Sequence, residues 1–192
     1  MKKELSERQR EIIKASLELI AEKGIQGLTI KNLSEKIGHV ESAIYRHFKN
    51  KIEILNTILE TIKENSLGDN YKKDVNTIVQ LEERLKSNFK TFAASPALVS
   101  VVFSEDLFQN EASLLDKTKE VMQKSIKELT RIIRYGQKRG ELRDDIHAES
   151  LAIMIIGTVR MFVKQWKMSG YSFDLVRKGN IIIKSITQVL KN

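Results

Sequence analysis

A chain of 192 residues can bury one substantial core or two small ones. It holds no cysteine, which excludes a disulfide framework and thiolate metal sites, and one proline with nine glycines leaves little room for a turn-rich β architecture. The net charge of +8 suits an anionic partner, although residues 1–51, with eleven basic and seven acidic side chains, carry only +4 of it. Residues 1–10 are charged throughout, with no signal-peptide pattern. The longest apolar stretch, Leu151 to Val163, is interrupted by Arg160 and is too short for a bilayer. An all-α, cytoplasmic protein with no membrane partner is expected.

In chain order, residues 6–23 place Ile12, Ile13, Ser16, Leu17, Leu19 and Ile20 on one helical stripe that ends at Gly24. Lys2 and Lys3 before it are either a frayed terminus or a phosphate contact. Ile30, Leu33 and Ile37 predict a short helix over 30–37, with Thr29 as its N-cap and Gly38 as the left-handed residue that ends it. A second apolar set, Ile44 and Phe48 with Val40, starts a new short helix. Its exposed face carries Glu41, Ser42, Ala43, Tyr45, Arg46 and His47. Helix, tight turn with glycine, helix is the geometry that puts a recognition helix into the major groove of DNA. Leu17 and Ile20 are expected against Leu33, Ile37, Ile44 and Phe48.

Ile54, Leu55, Ile58, Leu59 and Ile62 define a fourth helix from Lys51, whose open N-terminus would offer amides to a phosphate. A loop is expected over 66–73, then a long helix marked by Val75, Ile78, Leu85, Phe89 and Phe92. Ser95 as cap and Pro96 at the first helical position start a short helix to Phe103, with a bend over 104–110. Leu115, Thr118, Met122, Ile126, Leu129 and Ile133 form the next helix, closed by Gly140. A helix from about Asp145 to Met168 is apolar on nearly every side and demands a partner surface, and a last helix covers 172–190. About nine helices result.

The run GHVESAIYRHFKNK from Gly38 to Lys51, with Thr29-Ile30 nine residues before Gly38, resembles the TetR family of transcriptional regulators. Tyr45-x-x-Phe48-Lys49-x-Lys51 is its most specific part. The resemblance implies a three-helix DNA-binding head over 1–51 and a helical regulatory, ligand-binding and dimerisation domain over 52–192. It also implies a ligand-responsive homodimeric repressor on a palindromic operator. Tyr45 and His47 match the family's phosphate contacts, joined by Thr29 and Lys51. His39, Glu41, Ser42 and Ala43 are placed for bases: a glutamate accepts from the cytosine amino group and a methyl packs on thymine. Glu41 also reads as a charge favourable to its own helix N-terminus, and Tyr45 as a core edge. The chain departs from the family at Val40, where a hydroxyl cap is usual, and at Glu41, where a basic or amide side chain is common.

Phe89, Phe92, Phe103, Met122, Met154, Phe162 and Trp166 read as plain core at helical spacing, and the resemblance makes them equally candidates for an apolar effector pocket. Arg160 could anchor a ligand carboxylate, pair across a dimer interface or face solvent. His147 with Asp144, Asp145 and Glu149 reads more simply as an acidic helix start than as a metal site. No phosphate loop, nucleophile elbow or cofactor motif is present, so neither an enzyme nor a bound cofactor or metal is expected. The remaining alternative is a DNA-bound factor that recruits another protein without a small ligand, as nucleoid-occlusion factors do.

Overall fold

The computed structural model describes residues 4–65, 74–103, 108 and 111–191. Among these residues there are nine α-helices, a 3-10 turn at Ile25–Gly27 and no strand. The helices are α1 (Glu7–Lys23), α2 (Ile30–Ile37), α3 (Glu41–Tyr45), α4 (Lys51–Asn65), α5 (Thr77–Ala94), α6 (Pro96–Val102), α7 (Ala112–Lys138), α8 (Ala148–Met168) and α9 (Leu175–Leu190). The expected loop at 66–73, most of the bend at 104–110, and Lys2 and Lys3 lie outside the described residues.

Local chemistry sets the first boundaries. The Ser6 hydroxyl accepts from the Gln9 amide at 3.2 Å and the Gln9 side chain accepts from the Ser6 amide at 3.1 Å, a reciprocal cap that starts α1. Gly24, at φ +71°, releases the chain from α1 into a conformation that side-chain-bearing residues adopt at a cost. Not every expected cap forms. Ser95 stands before α6 but makes no capping hydrogen bond, leaving Pro96 at the first turn to start the helix.

Packing divides the chain into two compact units, one of residues 1–62 and 95–119, the other of residues 63–94 and 120–192. In the first, Ile12, Leu19 and Ile20 of α1, Leu28, Leu33 of α2, Ile44, Phe48, and Ile54, Leu55, Ile58 and Leu59 of α4 form one buried cluster with Ala97 and Val101 of α6 and Leu114 of α7. Each such side chain contributes roughly 1.5–3 kcal/mol of burial. Leu17 and Ile37 pack at its margin. The compact boundary therefore does not fall after Lys51, because the apolar face of α4 belongs to the same core as the three helices before it. Asn56 of α4 donates to the Ser113 hydroxyl of α7 at 3.1 Å, and Glu60 pairs with Lys117 at 2.6 Å.

In the second unit α5 lies along α9. Gly179 permits this closeness, since a Cβ there would fall 2.5 Å from the Phe89 ring. Arg84 of α5 and Glu128 of α7 pair at 2.7 Å with both side chains nearly buried. The Gln137 amide donates to the carbonyls of Arg143 and Ile146 at 2.9 and 2.8 Å and holds the connection into α8. That connection corrects the expected helix start: Asp145 is gripped by Arg143 at 2.7 Å through two nitrogens, and α8 begins at Ala148 with His147 as cap residue. The Arg143 hydrogen bonds hold the Asp145 carboxyl below the usual range. Likewise α5 starts after Val75, and α9 starts at Leu175, where the Asp174 carboxylate accepts from the Arg177 amide at 2.8 Å.

Helix α8 is buried along one side only in this chain. Leu151, Ala152, Ile155, Val159, Val163 and Trp166 are buried, while Ile153, Met154, Met161 and Met168 are exposed, Met161 by 60 % and Met168 by 76 %. No helix among the described residues is long and apolar enough to cross a membrane. None of their histidine, aspartate and glutamate side chains form a group of three or more that could hold a metal ion.

Candidate nucleic-acid interface

The interface is built on α2, a tight turn and α3. Thr29 stands extended before α2, and its Oγ1 accepts from the Asn32 amide at 3.1 Å. That bond uses an acceptor lone pair and leaves the hydroxyl proton available to a phosphate oxygen. The Asn32 side chain donates back to the Gly27 carbonyl at 2.8 Å, fixing how the chain enters α2. At the other end Gly38 adopts φ +68° and ψ +30°, and the His39 amide donates to the Ser34 carbonyl at 3.0 Å, so the chain turns within two residues. Val40 then takes the cap position of α3 with no side-chain bond, as its chemistry requires. It is 69 % exposed, which removes it from the apolar set in which Ile44 and Phe48 remain. A residue at the cap precedes the helical phase, so its apolar character says nothing about which way it faces.

Ile44 and Phe48, 0 and 2 % exposed, root α3 in the core. Around them, His39, Glu41, Ser42 and Tyr45 are exposed, Ala43 and His47 are half-buried, Thr29 is exposed at the start of α2, and Lys51 is half-buried at the start of α4. The DNA-contact candidates thus gather on the ends and outer side of one helix-turn-helix. Tyr45, 51 % exposed, is not a core edge. Lys36 is a cation of the same element already committed elsewhere, 2.7 Å from Glu22 and 3.6 Å from Glu18. The Glu22 hydrogen bond holds its ammonium above the ordinary lysine range.

The start of α4 differs from the open phosphate site expected there. The Asn50 side chain accepts from the Glu53 amide at 3.0 Å, and the Glu53 carboxylate accepts from the Lys49 amide at 2.6 Å. This pair of bonds satisfies one first-turn donor, the Glu53 amide, together with the Lys49 amide before the helix, and sets a negative charge near Lys51. The sequence carries this signal as Asn50-x-x-Glu53.

The pocket candidates are divided between the two compact units. Phe103 belongs to the first unit, and the other seven to the second. Phe89 and Phe162 meet edge to face at 5.7 Å between centroids, and Phe162 reaches Phe173 at 5.6 Å. Trp166 is buried and donates its indole N–H to the Phe173 carbonyl at 2.8 Å. Phe92 and Arg160 are half-buried and engaged with neighbours. Met122 and Met154 are exposed and line no interior. Met154 instead shares an open depression with Gly157, Thr158, Met161, Phe162, Gln165 and Ile182. The sequence reading missed most of that surface, because helical phase shows which residues share a face and not what covers it.

Known proteins share this arrangement. Residues 12–58 match the family described as bacterial regulatory proteins, tetR family, and residues 48–189 match the YsiA-like protein, C-terminal region. The fatty acid metabolism regulator protein of Bacillus subtilis is 25 % identical over 185 residues, covering 95 % of this chain and 95 % of its own. The transcriptional repressor BepR of Brucella suis is 23 % identical over 198 residues, covering 99 % of this chain and 95 % of its own. The crystal structure of the regulator FadR from Bacillus subtilis in complex with stearoyl-CoA superposes with a TM-score of 0.75 at 24 % identity, covering 94 % of this chain and 98 % of that one. The chain therefore belongs to the TetR family, as a DNA-binding transcriptional regulator with a YsiA-like C-terminal region and not an enzyme.

Proposed function

We propose that the protein is a homodimeric repressor that binds a palindromic operator and is released from it by a long-chain fatty acyl-CoA. The effector is taken from the regulator FadR of Bacillus subtilis, whose structure holds stearoyl-CoA, and the match to the fatty acid metabolism regulator supports it by running the length of both chains, C-terminal region as well as DNA head. The aromatic interior around Phe89, Phe162 and Phe173 supplies apolar surface of the kind an acyl chain buries against. Arg160 is a candidate partner for an anionic part of the ligand.

Dimerisation is supported by the uncovered side of α8. Met154, Gly157, Met161 and Met168 recur there at spacings of three, four and seven, an apolar stripe without cover in one chain. Gly157 is a mid-helix glycine whose added Cβ would meet nothing within 4 Å. Glycine costs about 1 kcal/mol relative to alanine in that position. A second backbone approaching closely would account for it, and a two-fold pairing of α8 and α9 with their copies makes a four-helix interface. Two copies of α3 would then enter successive major grooves about 34 Å apart. Thr29, Tyr45, His47 and Lys51 would hold phosphates, with His39, Glu41, Ser42 and Ala43 nearer the bases.

The test is fluorescence anisotropy on DNA from upstream of the protein's own gene, titrated with a long-chain acyl-CoA, the free fatty acid and CoA alone. Acyl-CoA should weaken binding by about 5- to 150-fold, corresponding to a coupling of roughly 1–3 kcal/mol. Specific binding that none of the three compounds alters would overturn the proposed effector while leaving the regulator intact.

A further inference from the structure

The two anchors of α3 fix where its other side chains point. Side chains step round a helix by about 100° per residue. The Phe48 amide donates to the Ile44 carbonyl at 3.0 Å, and Arg46 has φ −66° and ψ −22°, so helical phase continues through Arg46 beyond the last residue of α3. Opposite Ile44 and Phe48 stand Ser42 and Arg46, one turn apart on a single line. Glu41 and Tyr45 run along one flank of that line, Ala43 and His47 along the other. Exposure separates that line from one flank, since Ser42 and Arg46 are exposed while Ala43 and His47 are half-buried, and Glu41 and Tyr45 on the other flank are exposed as well.

The geometry points to Arg46 as the principal base reader of this protein, its guanidinium donating to O6 and N7 of a guanine at one fixed position of the bound site. A helix in the major groove brings the side opposite its core anchors to the base edges and its flanks toward the phosphate walls. On the leading line Ser42 is small, so nothing ahead of Arg46 holds the helix away from the groove floor. Arg46 is the long donor on that line, and its guanidinium makes no hydrogen bond or ion pair with any described residue. Lys36, by contrast, is already held by Glu22 and Glu18. The planar fork of arginine matches the paired acceptors of guanine, which no other base presents in that groove. Glu41 shares the flank of Tyr45, a residue assigned to phosphate, and is thereby moved away from the central reading position.

The assignment is independent of the effector and is tested with the full chain. Duplexes are selected from a randomised pool with the wild-type protein, and single-base variants of the selected site are then titrated by anisotropy against wild type, Arg46→Ala and Arg46→Lys at two salt concentrations. Wild type should select an invariant guanine whose replacement by adenine weakens binding about 5- to 150-fold. Arg46→Ala should be indifferent to that replacement while keeping its preferences elsewhere, and Arg46→Lys should keep charge and lose most of the discrimination. Three results would overturn the assignment: wild type selecting no sequence, Arg46→Ala matching wild type on every duplex, or Arg46→Ala weakening all duplexes equally with a salt slope lower by about one phosphate contact.

Discussion

Gly38 and Gly157 do opposite things, and the difference separates the two units of this molecule. Gly38 ends α2 at φ +68°, and the reason for a glycine there lies within the chain, in a turn that α3 needs two residues later. Gly157 lies in the middle of α8 with open space where its side chain would be, and nothing among the described residues explains it. In the helix-turn-helix each residue answers to a neighbour a few positions away. On the exposed side of α8 the residues would answer, on the proposed two-fold pairing, to the surface of a second copy.

That contrast can be pressed first at the head. Phe48→Ala removes a fully buried ring from the core shared by α1 to α4 and should cost about 3–5 kcal/mol. The first unit should melt at a clearly lower temperature by circular dichroism, with loss of DNA binding, and an unchanged melt would show that the head does not depend on this anchor. The corresponding change in the second unit is Gly179→Ala, which sets a methyl carbon about 2.5 Å from the Phe89 ring. Overpacking of this kind costs typically about 1–3 kcal/mol. Trp166, the chain's single tryptophan and buried in that unit, reports the lowered unfolding midpoint by its fluorescence. A Gly179→Ala protein as stable as wild type would mean that α5 and α9 can separate freely.

The smallest effect is expected at Glu141. Hydrogen bonding from Thr77, whose amide donates to the carboxylate at 2.7 Å, together with Arg139, holds its carboxyl below the ordinary glutamate range. A depressed carboxyl contributes stability above its unfolded pKa and loses it as pH falls through the lower folded value. Acidification below about pH 4.5 should therefore weaken the second unit in wild type, and Glu141→Gln should remove that part of the pH dependence at a cost of at most about 1 kcal/mol near neutrality. Identical acid melts for the two proteins would remove Glu141 from the account.

The head was the legible part for a physical reason. Thr29, Gly38, Ile44 and Phe48 act through caps, a positive φ and a 3.6-residue period, and all three are written in adjacent residues. The misreadings have equally local causes. Val40 looked like core because it is apolar, yet it precedes the phase of α3. Asp145 looked like a helix start because it is acidic, yet Arg143 had a stronger claim on it. Met122 and Met154 fit a pocket, a core or an interface equally well by composition, and their exposure excludes only the core. The Asn50 to Glu53 cap was visible in the residues and needed only to be weighed against the open N-terminus.

What remains beyond a single chain is the cover of the α8 and α9 surface, and sedimentation equilibrium of the full protein at micromolar concentration tests it most directly. A species of twice the chain mass, converted to monomer by Met161→Glu without loss of helical content, is the predicted result. A wild-type protein that sediments as a monomer would contradict the two-fold assembly on which the operator geometry depends.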